Sequence, residues 1–299
     1  MVNNNQLPNF FILGAAKSGT TSLFNILANH YQVYGSPVKE TGFFSNDDKF
    51  VHGLEWYQET FFKNSEKYPA RMEATPVYLT WSEKTAPRIR AAYPNQMLKF
   101  ALIFRDPISR AYSHYWHRVR LGQENLTFTD AIQAENHRIS ENFPELFRTG
   151  NGKYGYLRAS CYASRLKPFL ENFSKNQFFF LLQEDLHPEN FENRISALLD
   201  FLEINPNEKL ELQKANAATK KAEKWFIRFY WKAKQTFLSN LYRKTINPGA
   251  RKKIHSLLFP EVQYPKLDEE IARELKTKFK DEVKELEVII NRDLSGWLP

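Results

Sequence analysis

One stretch of this chain is built to hold an anion. Gly14-Ala15-Ala16-Lys17-Ser18-Gly19-Thr20-Thr21-Ser22 sets two glycines in the spacing G-x-x-x-x-G, with a lysine between them and three hydroxyls after the second. A turn of this kind that opens a helix aims several backbone N–H groups, and the positive end of the helix dipole, at one point. In a nucleoside triphosphatase the lysine follows the second glycine; here it lies inside the turn, at Lys17. An ammonium there sits beside the anion, on the side where a leaving group develops charge. A triphosphatase also wants an acidic residue at a second strand end to hold Mg²⁺. The apolar run that ends at Phe104 delivers Arg105 instead, a protein cation where a metal site would want an acid.

These residues need strand ends and helix starts to position them. The run 9–14 is apolar up to its glycine and reads as a buried strand, followed by a helix over 19–30 with Leu23, Ile26 and Leu27 on one face. A second strand is expected over 98–104. Asp106 and Pro107 then suit the cap and first turn of a helix running toward Arg120. A helix over 156–172 leads to a third strand at 177–182, and a weaker strand is expected at 70–74. Strands apolar on both faces and separated by helices imply an α/β fold, a P-loop-like parallel sheet flanked by helices. The stretch 267–291 places Leu267, Ile271, Leu275, Phe279, Val283, Leu286 and Ile290 at helical spacing, an amphipathic helix docked on the body. With no repeat or linker, 1–299 reads as a single domain with a helical C-terminal part, its tail pinned by Trp297.

Composition narrows the class. Of 299 residues 42% are hydrophobic and 15% aromatic, enough for a folded core and incompatible with general disorder. No apolar run reaches eighteen residues, so no membrane span is expected, and the polar start 1–8 carries no signal-peptide pattern. The single cysteine, Cys161, excludes an internal disulfide or a cysteine-based metal site; together these point to the cytoplasm. The net charge of +8 suits anionic ligands.

The loop 14–22 resembles the 5′-phosphosulfate loop of sulfotransferases that use 3′-phosphoadenosine 5′-phosphosulfate (PAPS). Arg105-Asp106-Pro107-Ile108-Ser109-Arg110-Ala111-Tyr112-Ser113 resembles their 3′-phosphate motif, an arginine at a strand end and a serine eight residues on. Ser113 then lies two turns along the helix, facing back toward the pocket of Arg105. Lys39-Glu40-Thr41-Gly42-Phe43-Phe44 is similar to a stretch of heparan-sulfate-type and bacterial members. So are Glu73-Ala74-Thr75-Pro76-Val77-Tyr78 and the ending 292–298. The resemblance implies transfer of a sulfuryl group from PAPS to a hydroxyl or amine, releasing adenosine 3′,5′-bisphosphate (PAP), without a metal. It implies that Lys17, Ser18, Gly19, Thr20, Thr21 and Ser22 hold the 5′ side, that Arg105 and Ser113 hold the 3′-phosphate, and that Lys17 and Glu40 are catalytic, with Glu40 as base. His114 and His117, on the helix after Arg105, rank below Glu40 because a lone helix histidine is more often structural. Where some heparan-type enzymes carry a second lysine before Thr-Pro, this chain has Ala74.

The expected acceptor is a small molecule (a metabolite, natural product or toxin). A glycan acceptor and a P-loop nucleotide kinase are the alternatives. Residues 220–253 hold eleven Lys or Arg, one acid (Glu223) and seven aromatics, and read as a basic aromatic helical insertion. Besides packing on the core, this insertion suits a lid, a peripheral contact with an anionic membrane, or a homodimer. It does not make the chain a nucleic-acid-binding module, because that reading leaves the two phosphate motifs unexplained.

Overall fold

A computed structural model describes residues 5–206, Leu210 and 265–299; the basic aromatic segment 220–253 lies outside the described residues. Five parallel strands, β1 (Phe10–Gly14), β2 (Val33–Gly35), β3 (Ala70–Ala74), β4 (Lys99–Phe104) and β5 (Phe178–Leu182), form one sheet in the order β2-β3-β1-β4-β5. From β1 the chain crosses to the edge strand β2, comes back to β3 beside β1, and then builds β4 and β5 on the other side of β1. In open parallel sheets a ligand crevice opens outside the carboxyl ends of the strands at such a reversal. The loop after β1 and Arg105 after β4 both lie there.

The helices are α1 (Thr20–Leu27), α2 (Asp47–Phe50), α3 (Gly53–Phe61), α4 (Val77–Thr80), α5 (Ser82–Ala92), α6 (Pro107–Arg120), α7 (Phe128–Gln133), α8 (Glu135–Glu141), α9 (Phe143–Thr149), α10 (Tyr162–Asn172), α11 (Pro188–Leu202) and α12 (Glu269–Ile290). Alternation along the strands splits the interior in two. Phe11 and Leu13 of β1, with Phe100, Leu102 and Phe104 of β4, face a large aromatic core shared with α5, α6, α10 and α12. Phe10, Ile12, Ala101 and Ile103 face the opposite layer, closed by α1 and α11. Both faces of β1 and β4 are covered, which is why their runs are apolar without a break.

The C-terminal helix follows most of its expected pattern, except that Leu267 precedes its first turn and Ile271 is half-buried. Leu275, Phe279, Val283, Leu286 and Ile290 are all buried, and each contributes about 1.5–3 kcal/mol on leaving water. The tail beyond it is tied down by Arg292, whose two terminal nitrogens donate to Asp185 at 2.9 and 3.0 Å, and by the buried Trp297.

Three details depart from the sequence reading. The three-residue β2 is too short to show a period and was not expected. The first helix stops at Leu27 rather than reaching 30, and the His30 ring accepts the Gln32 amide at 3.1 Å, closing the turn. The helix expected over 156–172 starts only at Tyr162. Its first backbone groups are claimed by side chains: the Glu135 carboxylate accepts the amides of Leu157 and Arg158, each at 2.7 Å. Arg110, fully buried on α6, donates to the carbonyls of Gly155 and Tyr156.

Candidate active site

Each part of the first loop has a structural reason. Gly14 has φ 154°, and a Cβ there would meet the Leu79 Cβ at 2.9 Å and the Pro76 carbonyl at 3.1 Å. Gly19 has φ 110°, with Ile103 and Leu186 side chains 3.2 and 3.3 Å from a Cβ. Between them Lys17 adopts φ 73°, a left-handed conformation that costs a residue with a side chain about 1 kcal/mol or more. The alternation curls the backbone into a concave turn. The Ala15 amide donates to the Ile103 carbonyl at 2.9 Å and the Ser18 amide to the Ala15 carbonyl at 3.2 Å, tying the turn to β4.

Helix α1 opens directly from this turn with Gly19 at its cap. It has no side-chain cap and no acidic residue in its first turn. Its first hydrogen-bonded amide is Leu23, which donates to the Gly19 carbonyl at 3.0 Å. The amides before it have no intrahelical acceptor and point out of the helix end. Ser18 and Thr20 are buried, Ser22 is half-buried and Thr21 is exposed.

The neighbouring strand end presents the cations. Arg105 is half-buried, and its backbone carbonyl is fixed by the Tyr162 hydroxyl at 2.9 Å. Asp106 caps α6 as expected, accepting the Ser109 amide at 2.6 Å, with Pro107 in the first turn. Ser113 is half-buried two turns on. The Arg105 and Lys17 side chains have no carboxylate within ion-pairing distance among the described residues. Burial first, then the guanidinium charges of Arg120 and Arg105, lowers the Lys17 ammonium to about 8, with Glu40 opposing them. The structure thus brings Lys17, Arg105 and Glu40 into one neighbourhood, and it adds Arg120 and Lys39.

Glu40 is held by the end of β3. Its amide donates to the Ala74 carbonyl at 2.9 Å, and its φ of 66° turns the chain outward. The next residues are anchored to a buried acid: the carboxylate of Glu73 accepts the hydroxyls of Thr41 at 3.0 Å, Tyr57 at 2.9 Å, and Thr75. The Gly42 amide donates to the Thr75 hydroxyl at 3.2 Å. Burial raises the Glu73 carboxyl, and the hydroxyl donors only partly oppose it. The Glu40 side chain itself is 58% exposed and pairs with Lys39 at 2.6 Å.

The surroundings of both histidines of α6 favour the neutral ring. His114 is buried, its Nε2 accepts from Arg118 Nε at 3.1 Å, and burial beside Arg110 keeps its pKa well below the usual imidazole value. Burial first, then the charges of Lys17, Arg120 and Arg118, lowers His117 to about 3. Sequence reasoning missed Arg120 and Glu73. The spacing Ser113, His117, Arg120 along one helix face was available as a signal for the former. Nothing in the sequence marks Glu73 as a buried anchor.

A parallel sheet whose central strand ends in an uncapped, glycine-turned helix start beside Lys17 and Arg105 defines an α/β protein with an anion-attracting crevice. The chain belongs to the sulfotransferase family: the sulfotransferase-domain family model matches residues 7–287. It is 33% identical over 175 residues, 58% of this chain and 47% of the other, to the mouse heparan sulfate glucosamine 3-O-sulfotransferase 5. To the membrane-associated sulfotransferase kil1 of Dictyostelium discoideum it is 35% identical over 121 residues, 40% of this chain and 25% of that one. The chain therefore spans about half the length, or less, of these relatives. A sulfotransferase structure from Alicyclobacillus acidocaldarius shares the fold with a TM-score of 0.70 and 24% identity, covering 97% of this chain and 98% of the other. Among the described residues no helix is long and apolar enough to cross a membrane.

Proposed function

We propose that the protein transfers the sulfuryl group of PAPS to a hydroxyl or amine of a small-molecule acceptor. The observation that carries this reading is the cluster of Lys17 and Arg105 at two adjacent strand ends, ion-paired with no carboxylate among the described residues and flanked by the open amides of α1. The donor has anionic groups at its 5′ and 3′ sides, and two cations on neighbouring strand ends match them. The amides of residues 19–22 and the hydroxyls of Thr20, Thr21 and Ser22 hold the 5′-phosphate, while Ser18, whose amide is taken by the Ala15 carbonyl, shapes the turn; Arg105 and Ser113 hold the 3′-phosphate.

The chemistry is an in-line displacement in which positioning and charge stabilisation supply most of the rate. The acceptor oxygen or nitrogen bonds to sulfur as the bond from sulfur to the bridging phosphate oxygen breaks. Lys17 neutralises the charge that collects on that oxygen, and PAP leaves. Glu40 takes the acceptor proton; docking of an acceptor supplies the desolvation that its exposed carboxylate lacks in the unliganded protein. The expected result for Glu40→Gln is a collapse of turnover with PAP affinity nearly intact. Full turnover in that variant would remove Glu40 from the mechanism.

A second reading, a glycan acceptor, is favoured by the heparan sulfate relatives, and Ala74 in place of a second lysine weighs against it. Activity assays with PAPS against a metabolite panel and against heparan sulfate separate the two. Thermal shifts with PAP, PAPS and ATP plus Mg²⁺ test the donor, since a ligand stabilises the fold it binds. Stabilisation by ATP plus Mg²⁺ alone would overturn the reading in favour of a kinase.

A further inference from the structure

We propose that Arg120, oriented by His117, grips the sulfuryl group of the donor at the reacting end of the site. The inference rests on the PAPS reading above and adds a third oxyanion contact to it. Helix α6 leaves the sheet at Arg105, and Ser113, His117 and Arg120 follow one another along one of its faces at intervals of four and three residues. At 1.5 Å per residue, the face that carries Ser113 reaches Arg120 about 10 Å further on.

Arg120 Nη2 lies 3.2 Å from His117 Nδ1. A guanidinium only donates, so Nδ1 accepts and the ring proton sits on Nε2. His117 therefore orients Arg120 without neutralising it. Other arginines of the molecule meet carboxylates: Arg138 on Glu124 at 2.7 Å, Arg158 on Glu83 at 2.7 Å, Arg292 on Asp185 at 2.9 Å. Arg120 has no such partner among the described residues. Two residues earlier, Arg118 is occupied by His114 and Gln123, at 3.1 and 2.8 Å.

Arg120 is also the strongest charged influence on Lys17, ahead of Arg105. Lys17 is likewise the first charge felt by His117, the residue that Arg120 touches, so the pair at the far end of this helix face is nearer to Lys17 than to Arg105 at its start. A cation at a helix C-terminus gains about 0.3–1 kcal/mol from the helix dipole alone. That accounts for an arginine at this position but not for one turned back onto His117 and brought close to another cation. With Lys17 assigned to the leaving phosphate and Arg105 to the 3′-phosphate, the anionic group left for Arg120 is the sulfate.

The test compares PAPS with PAP, which differ by the sulfuryl group. Calorimetric affinities for both ligands, at one ionic strength, are measured for the full chain and for Arg120→Ala, Arg120→Lys, His117→Phe and His117→Asn. In Arg120→Ala the preference for PAPS over PAP falls by about tenfold or more, the value of a charged hydrogen bond, with PAP affinity changed less than about threefold. Arg120→Lys recovers part of the preference. His117→Phe loses part of it, whereas His117→Asn, which restores an acceptor near Nδ1, keeps it. An unchanged PAPS preference in Arg120→Ala overturns the inference, as does an equal loss for both ligands, which would make Arg120 a nucleotide grip. A raised acceptor KM with an unchanged preference also overturns it, moving Arg120 to an anionic group on the acceptor. Failure of the unmodified protein to bind PAP at all would instead sink the donor reading itself.

Discussion

Two neighbouring strand ends of the same sheet treat charge in opposite ways. At the end of β3, Glu73 is fully buried and takes hydroxyl donors from Thr41, Tyr57 and Thr75. At the ends of β1 and β4, Lys17 and Arg105 are half-buried cations with no carboxylate paired to them among the described residues. The first site is complete within the protein and holds the Glu40 segment in place. The second, on the function proposed above, is completed by an anion from outside. An uncompensated, partly desolvated charge raises the free energy of the unliganded protein, and relief of that cost favours binding.

The contrast can be broken most decisively at Lys17. Lys17→Ala lowers transfer by about 100- to 1000-fold, the usual loss when a donor to developing negative charge is removed. Single-turnover assays with PAPS and the acceptor found by the panel measure it, and a loss below threefold would make the two strand ends equivalent. Glu73→Ala acts on stability instead. It strands three buried hydroxyl groups and costs about 3 kcal/mol in denaturant unfolding. Glu73→Gln, which keeps an acceptor for the hydroxyls, costs less than half as much. PAP affinity of either folded variant stays close to that of the parent.

A smaller effect sharpens the comparison through the C-terminal tail. Arg292→Ala removes a bidentate partner from the nearly buried Asp185 and costs about 1–3 kcal/mol, read from the unfolding midpoint. Burial raises the Asp185 carboxyl, but its hydrogen bonds and the arginines outweigh that and hold it below the usual value. Its contribution is therefore present above the unfolded carboxylate pKa and is lost as pH falls through the lower folded value. Arg292→Ala flattens this acid limb.

The smallest effect concerns pH and Lys17. Its folded pKa of about 8 lies below the ordinary 10.5. Between those values the unfolded chain binds the extra proton, so the unliganded protein gains stability as pH rises through that window. An anion favours the charged lysine. PAP affinity therefore declines above pH 8, by at most about tenfold per pH unit. Calorimetry in two buffers of different ionisation enthalpy detects proton uptake on binding near pH 8–9. Lys17→Ala abolishes that uptake; its persistence there would assign the proton to another group.

Much of the scaffold was legible in advance because its signals are local. An unbroken apolar run bounded by Gly14 or by Arg105-Asp106-Pro107 reads as a buried strand whatever surrounds it. Seven apolar residues at helical spacing mark α12 in the same way. The start of α10 was misread because Glu135 and Arg110, distant in sequence, take the backbone groups of 155–158.

From its own order of residues the chain determined the strand ends, the glycine turn, the placement of Lys17 within it, and the cap at Asp106. All of these depend on neighbours within a few positions. Only the tertiary structure decided which charges meet: that Glu73 is sealed among hydroxyls from three segments, and that Arg120 acts on Lys17, about a hundred residues earlier in the chain. Burial and long-range electrostatics arise from segments far apart in the chain, so no local pattern announces them.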